Sequence, residues 1–284
     1  TFSVGADTSG DYEYEVLDDG TVSITKYNGS DEEVTIPSEL DEKNVTKIGE
    51  FAFWRYSKLI SINLPNSILE ISEAAFGECS NLVNIDIAKS VIKIGEIAFQ
   101  NCIALKEIHI PYSVTEIGDG AFIGCKNLKE ISIPASVKEI NGSVFYRCSS
   151  LIYIDVDKDN KCYISDNGVL YSKDKSILMS YPQNMSNTTY SIPKGVLLID
   201  DFAFSGCSHL ERIELPETIT EIGQFAFSDC DKIESIDMPK NVNKIGTRAF
   251  FGCNNLSILD VDINNNFFAS IDGVIFSKDK GTLM

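Results

Sequence analysis

The sequence predicts a β-rich repeat solenoid, and three observations carry that prediction. A 23-residue pattern recurs in full copies starting at Val45, Ile68, Val91, Val114 and Val137, and again at Val196, Ile219 and Val242. Phenylalanine holds one place in every copy, as Phe53, Phe76, Phe99, Phe122, Phe145, Phe204, Phe227 and Phe250. Each copy also contains a segment such as Leu128–Ile133 that alternates apolar and polar residues like a half-buried strand. Self-similarity at a fixed period marks coils that cannot bury an apolar face alone and stack to do so. One strand per coil, always in the same direction, builds a parallel sheet along one face.

The elements follow in order. Residues 1–44 depart from the period and alternate around Asp19-Gly20, which predicts a β-hairpin serving as an N-terminal cap. Five repeats then occupy residues 45–159. Alanine precedes the repeated phenylalanine in all copies but that of Val144, a small residue beside a large one that lets coils interlock. Proline follows the strand at Pro65, Pro111, Pro134, Pro216 and Pro239, where its missing N–H ends the ladder. The V-x-x-I-G stretch predicts a second short strand closed by a turn. Gly49, Gly95, Gly118, Gly223 and Gly246 are expected at positive φ, with Asn141 and Asp200 as substitutes and Ser72 as the poor fit. The A-F-x-x-C segment is too short for a full helix and predicts one helical or 3₁₀ turn.

Residues 160–195 interrupt the period. An Asn167-Gly168 turn sits between alternating runs there and a Lys173-Asp174-Lys175 turn follows, which predicts a small β-meander bulging from the solenoid. Three repeats resume over residues 196–264. A second copy of the inserted module starts within residues 265–284, and Asp157 and Asp262 stand where other copies have proline. That copy stops at Met284, so the chain is expected to be a piece of a longer array. With Thr1 first and no leader after it, the chain is also expected to be a processed or trimmed form.

Of the eight cysteines, Cys79, Cys102, Cys125 and Cys148 are spaced by 23 residues, as are Cys207, Cys230 and Cys253. They belong to the repeat and are expected to form a column of buried free thiols rather than disulfide pairs. No Cys/His cluster offers a metal site. The two histidines, His109 and His209, have no repeat-encoded nucleophile beside them, and no phosphate-cradling loop or zinc-protease motif occurs. Cys162 is read as a half-buried strand residue rather than a nucleophile. The chain therefore reads as non-enzymatic, with no cofactor. A formal net charge of −18 disfavours nucleic acid and anionic membranes as partners. No apolar run approaches the roughly 20 residues that span a bilayer.

The consensus V-x-x-I-G-x-x-A-F-x-x-C-x-x-L-x-x-I-x-I-P resembles the BspA-like, or Treponema pallidum-type, leucine-rich repeat, over residues 45–264 apart from the insertion. That resemblance implies a secreted or surface-attached bacterial protein whose partners differ among members.

What varies within the constant frame is the outward side of the strands. Its residues include Asp86, His109, Tyr153, Asp155, Arg212, Glu214, Asp237 and Asp260, a set rich in acid. Tyr153 and Arg212 are of the types most often found as interface anchors, and they flank the insertion. The reading is an extracellular adhesion module recognising a protein ligand on a host or bacterial surface. The alternatives are a glycan-binding surface using Trp54, Tyr153, Tyr163 and Tyr171, or a spacer that projects another domain. Trp54 is expected to pack against the cap.

Overall fold

The computed structural model describes residues 7–140 and 142–278, so Asn141 and the ends of the cap and of the second module lie outside the described residues. These residues form two compact units. One runs up to Ser150 and adds Val156–Cys162; the other comprises Leu151–Asp155 and the chain from Tyr163. Both are β-solenoids.

In the first unit, strands Asp7–Ser9, Tyr12–Val16 and Val22–Tyr27 form an antiparallel meander. The third of them pairs in parallel with Lys43–Ile48 and hands the ladder to Glu70–Ile71, Lys93–Ile94 and Glu116–Ile117. These two-residue strands are the V-x-x-I-G segments. A second parallel ladder joins Glu33–Thr35, Ser61–Asn63 and Asn84–Asp86 in strict register, Thr35 beside Asn63 beside Asp86. Strand Glu130–Ile133 follows, whereas Glu107–Ile110 between them is not paired as a strand.

In the second unit, strands Tyr163–Asp166, Val169–Ser172 and Ile177–Ser180 form an antiparallel meander. The Asn167-Gly168 turn takes φ of 52° and 85°, the left-handed pair that a two-residue hairpin loop requires. The meander does not bulge free of the repeats. Its last strand pairs in parallel with Leu198–Ile199, and the ladder continues through Glu221–Ile222 to Lys244–Ile245. The outward strands are Thr189–Ser191 with Arg212–Glu214, and Ser235–Met238 with Ile258–Val261.

Within each unit the repeated phenylalanines form a ring stack. Centroids are 5.3 Å apart for Phe53–Phe76, 5.5 Å for Phe76–Phe99 and 5.6 Å for Phe99–Phe122 in the first unit, and 5.1 Å for Phe204–Phe227 in the second. Such pairs add about 0.5–1.5 kcal/mol to the burial of the rings themselves. Where another repeated phenylalanine follows in the same unit, the phenylalanine N–H also donates to the carbonyl of the residue before it, as in Phe76 to Ala98 at 2.9 Å and Phe204 to Ala226 at 2.7 Å. Side-chain packing and backbone bonding therefore run along one axis.

The expected glycine conformation is wrong. Gly49, Gly95, Gly118, Gly223 and Gly246 all lie outside the positive-φ region, as do Ser72 and Asp200. What the glycines provide is room. A Cβ on Gly95 would lie 2.6 Å from the Ser72 carbonyl carbon and 2.7 Å from the Glu73 nitrogen, both backbone atoms of the preceding coil. The left-handed residues come two places later and again four places after that: Phe51 and Arg55, Ile97 and Asn101, Gly120 and Gly124, Phe225 and Asp229. Their N–H groups point at the next coil, Phe51 to Glu73 at 3.1 Å and Asn101 to Ile123 at 2.7 Å. Those bonds offset a left-handed cost of roughly 1–2 kcal/mol for a non-glycine residue. Interrupted in this way, the A-F-x-x-C segment becomes a series of β-turns. Only Gly142–Phe145 among the described residues is a 3₁₀ element.

Every described cysteine is a free thiol, and the column cysteines are buried as expected except Cys253, which is half-buried. All but one donate to the carbonyl of a phenylalanine one coil back, as Cys79 to Phe53 at 3.0 Å, Cys125 to Phe99 at 3.2 Å and Cys230 to Phe204 at 3.0 Å, whereas Cys207 reaches the Tyr181 carbonyl at 3.9 Å. Burial pushes the Cys79 and Cys148 thiols up from 9.0 to about 12. The neutral form is thus favoured by the fold, and the sign follows. This contribution is whole below pH 9.0 and is lost as pH rises from there towards about 12, because the unfolded chain ionises first. Urea midpoints should hold level up to pH 9.0 and fall above it, and Cys148→Ala should make the alkaline fall shallower. An unchanged slope in that variant would remove the thiols as its cause.

Candidate recognition face

The outward strands alternate as their sequences require. Asn84–Asp86 and Arg212–Glu214 read exposed, buried, exposed, and Ser235–Met238 extends the same pattern by one buried residue. Each inward isoleucine, such as Ile213 or Ile236, is buried in its unit's core and holds its neighbours out. Asp86, His109, Tyr153, Asp155, Arg212, Glu214, Asp237 and Asp260 are all exposed. The two units divide them. Asp86 and His109 stand on the first, and the other six stand on the second.

On the first unit the unpaired Glu107–Ile110 stretch opens a shallow depression of about 360 Å³. Ile85, Ile108 and Ile131 floor it, and Asn84, Glu107, His109, Glu130 and Ser132 rim it. On the second unit Arg212 and Glu214 form an exposed ion pair at 3.3 Å, and the Ser191 hydroxyl donates to Glu214 at 2.7 Å. Asp237 and Asp260 are direct register partners on adjacent parallel strands. Like charges facing each other across a ladder destabilise it.

Tyr153 is only partly available as an anchor. Its ring lies against Gly168, where an added Cβ would come within 2.6 Å of the ring edge. The backbone N–H of Ile154 donates to Gly168 at 3.1 Å, and Ser165 Oγ donates to the Ile154 carbonyl. Tyr153 therefore helps hold the inserted hairpin. The module tyrosines are not surface aromatics either. Tyr163 and Tyr171 are buried, and Tyr171 shares a hydroxyl–hydroxyl hydrogen bond with Tyr190. Trp54 lies between its own coil and the next. Phe51 meets it edge-on at 5.6 Å, Arg55 sits 5.7 Å from its ring centroid, and Gly77 of the next coil leaves room for it. Tyr56, which stands at the cysteine position of that coil, meets the cap and donates to the Gly29 and Asp31 carbonyls.

Two buried asparagines were not singled out by sequence. Asn160 Nδ2 donates to the Pro134 and Val137 carbonyls, and Asn265 Nδ2 donates to Pro239 and Val242. Each Oδ1 accepts a backbone N–H at the entry of the following module, from Cys162 and from Phe267. The signal was present, because both lie three residues after Asp157 and Asp262.

No group of His, Cys, Asp and Glu among the described residues could hold a metal ion. No helix among them is long and apolar enough to cross a membrane. Stacked coils, ring and thiol columns and outward strands define a leucine-rich repeat β-solenoid. The chain belongs to the BspA type leucine-rich repeat family, whose model matches residues 27–167 and 175–280. No curated protein matches it. Among solved structures it is similar to a leucine-rich repeat protein from Eubacterium ventriosum, with 27% identity, a TM-score of 0.64, and 91% of this chain and 72% of that one covered. A leucine rich cell surface protein from Faecalibacterium prausnitzii shares 28% identity with a TM-score of 0.54, covering 91% and 89%. The pneumococcal vaccine antigen PcpA shares 25% identity with a TM-score of 0.69, covering 92% and 82%. Repeats of this kind generally serve as protein-interaction modules and are typically non-enzymatic.

Proposed function

We propose that this chain is an extracellular, surface-displayed adhesion module that recognises a protein ligand through the outward strand residues of its repeats. The observation that carries the reading is the Asp237–Asp260 pairing. A ladder built for stability alone would not set two carboxylates side by side, and a basic partner relieves that repulsion on binding. Arg212, Glu214 and Asp155 extend the same exposed surface in the second unit, and His109 and Asp86 supply the corresponding positions in the first. The Faecalibacterium relative described as a cell surface protein supports the placement at a surface. Burial of Tyr163 and Tyr171 takes away two of the aromatics on which a glycan-binding alternative rests.

The test is capture from host or bacterial surface extracts, followed by charge reversal on the face. The combined Asp155→Lys, Glu214→Lys and Asp237→Lys variant should weaken a captured partner by at least about tenfold, mostly through slower association. Its melting temperature should stay close to that of the parent, since relief of the Asp237–Asp260 repulsion offsets loss of the exposed Arg212–Glu214 pair. Unchanged affinity in that variant would remove this face as the binding surface.

A further inference from the structure

The inserted module repeats the N-terminal cap, element for element. Strands Tyr12–Val16 and Val22–Tyr27 pair antiparallel, and so do Val169–Ser172 and Ile177–Ser180. In both hairpins the register slips by one residue at the same point. Glu13 faces Lys26 and Tyr14 faces Ile24, skipping Thr25; Leu170 faces Ser180 and Tyr171 faces Leu178, skipping Met179. The third strand of each then starts a parallel ladder, Ile24 beside Ile48 and Leu178 beside Ile199. In both, the tyrosine three residues after that ladder position heads the unit's phenylalanine stack. Tyr27 stacks on Phe53 at 5.2 Å and 23°, and Tyr181 stacks on Phe204 at 5.1 Å and 28°. Their N–H groups make the framework bond to the next coil, Tyr27 to Ala52 at 3.0 Å and Tyr181 to Ala203 at 2.8 Å. The outward ladders begin alike too, with Glu33–Thr35 on Ser61–Asn63 and Thr189–Ser191 on Arg212–Glu214. Each is closed by a buried isoleucine before proline, Ile36-Pro37 and Ile192-Pro193.

We infer that the module is a second starting cap, and that the chain from Tyr163 is a second self-capped repeat array that folds and unfolds as its own cooperative unit. Terminal coils of a repeat array need an element that shields the open core and seeds the ladder. A hairpin carrying its own tyrosine head supplies both in the middle of the chain. The second module copy begins the same way. Phe268–Ile271 and Val274–Ser277 pair in the register of the first hairpin, Phe268 opposite Ser277 as Tyr163 is opposite Ser172. Leu259 donates to Gly273 at 3.3 Å as Ile154 donates to Gly168. Asp86 and His109 thereby belong to one capped array, and Arg212, Glu214, Asp237 and Asp260 to another.

The whole chain tests this, because its single tryptophan, Trp54, lies in the first unit. Urea unfolding is followed by Trp54 fluorescence, which reports the first array, and by far-UV circular dichroism, which reports both. Tyr181→Ala should leave the fluorescence midpoint where it is in the parent while the dichroism develops an earlier, separate transition. Tyr27→Ala should lower the fluorescence midpoint itself. If Tyr181→Ala prevents the second array from folding, the unchanged Trp54 transition still supports the inference, and Tyr181→Phe, which keeps the ring stack, should restore the dichroism. A Tyr181→Ala chain whose fluorescence and dichroism midpoints fall together, or in which neither moves, overturns it.

Discussion

Phe122→Ala is expected to cost ~3–5 kcal/mol in urea unfolding, the range of buried phenylalanine truncations. Phe122 is fully buried and stacks on Phe99 at 5.6 Å and on Phe145 at 6.1 Å, so truncation opens the column on both sides. The same change at Phe250 should cost clearly less. Its ring is only partly buried and has one column neighbour, Phe227 at 5.6 Å. In a stack whose stability is a sum of coil and nearest-neighbour terms, a ring with two neighbours is worth more than a ring with one. Equal losses at the two positions would contradict that sum.

The second large effect comes from adding one carbon. Gly95→Ala places a Cβ 2.6 Å from the Ser72 carbonyl carbon and 2.7 Å from the Glu73 nitrogen. These are backbone atoms in a ladder, so the coils themselves must part. The loss should reach about 3 kcal/mol, the upper end of overpacking. Gly223→Ala should behave alike, its Cβ lying 2.6 Å from the Asp201 nitrogen. The control is Gly10, which has φ of 58° and nothing within 4 Å of an added Cβ. Alanine there meets only backbone strain of roughly 1–2 kcal/mol. A loss at Gly95 no larger than that at Gly10 would contradict room between coils as what the repeat glycine provides.

Much of the fold was legible because a stacked coil repeats its own contacts. Phe76, Cys79, Leu82 and Ile85 point inward for the same reason as Phe99, Cys102, Leu105 and Ile108, so the period alone sorts framework from surface. The same sorting found the outward face, and Asp86, Arg212 and Asp237 stand where alternation puts them. Backbone conformation was not legible. Glycine at a turn suggests positive φ, but here the left-handed places are filled by Phe51, Ile97 and Phe225, residues no propensity would nominate. Inter-coil hydrogen bonds fix those dihedrals, and such bonds connect residues a whole coil apart. The kinship of the module with the cap was hidden for a related reason. Tyr27 and Tyr181 are 154 residues apart, which is not a multiple of 23, and the shared register slip leaves no residue signature. Paired carboxylates such as Asp237 and Asp260 were visible only as two members of a column until the parallel register set them side by side.

Backbone bonding from coil to coil is the central claim, and hydrogen exchange on the unaltered chain measures it most directly. Amides of the ring column, Phe76, Phe99, Phe204 and Phe227, donate to the next coil and are buried, so they should be the slowest to exchange and recur every 23 residues within each array. Amides of Glu107–Ile110, outside any ladder, should exchange faster than their counterparts in Ser61–Asn63. Protection without the 23-residue period, or slower exchange at Glu107–Ile110 than along the phenylalanine column, would contradict the account.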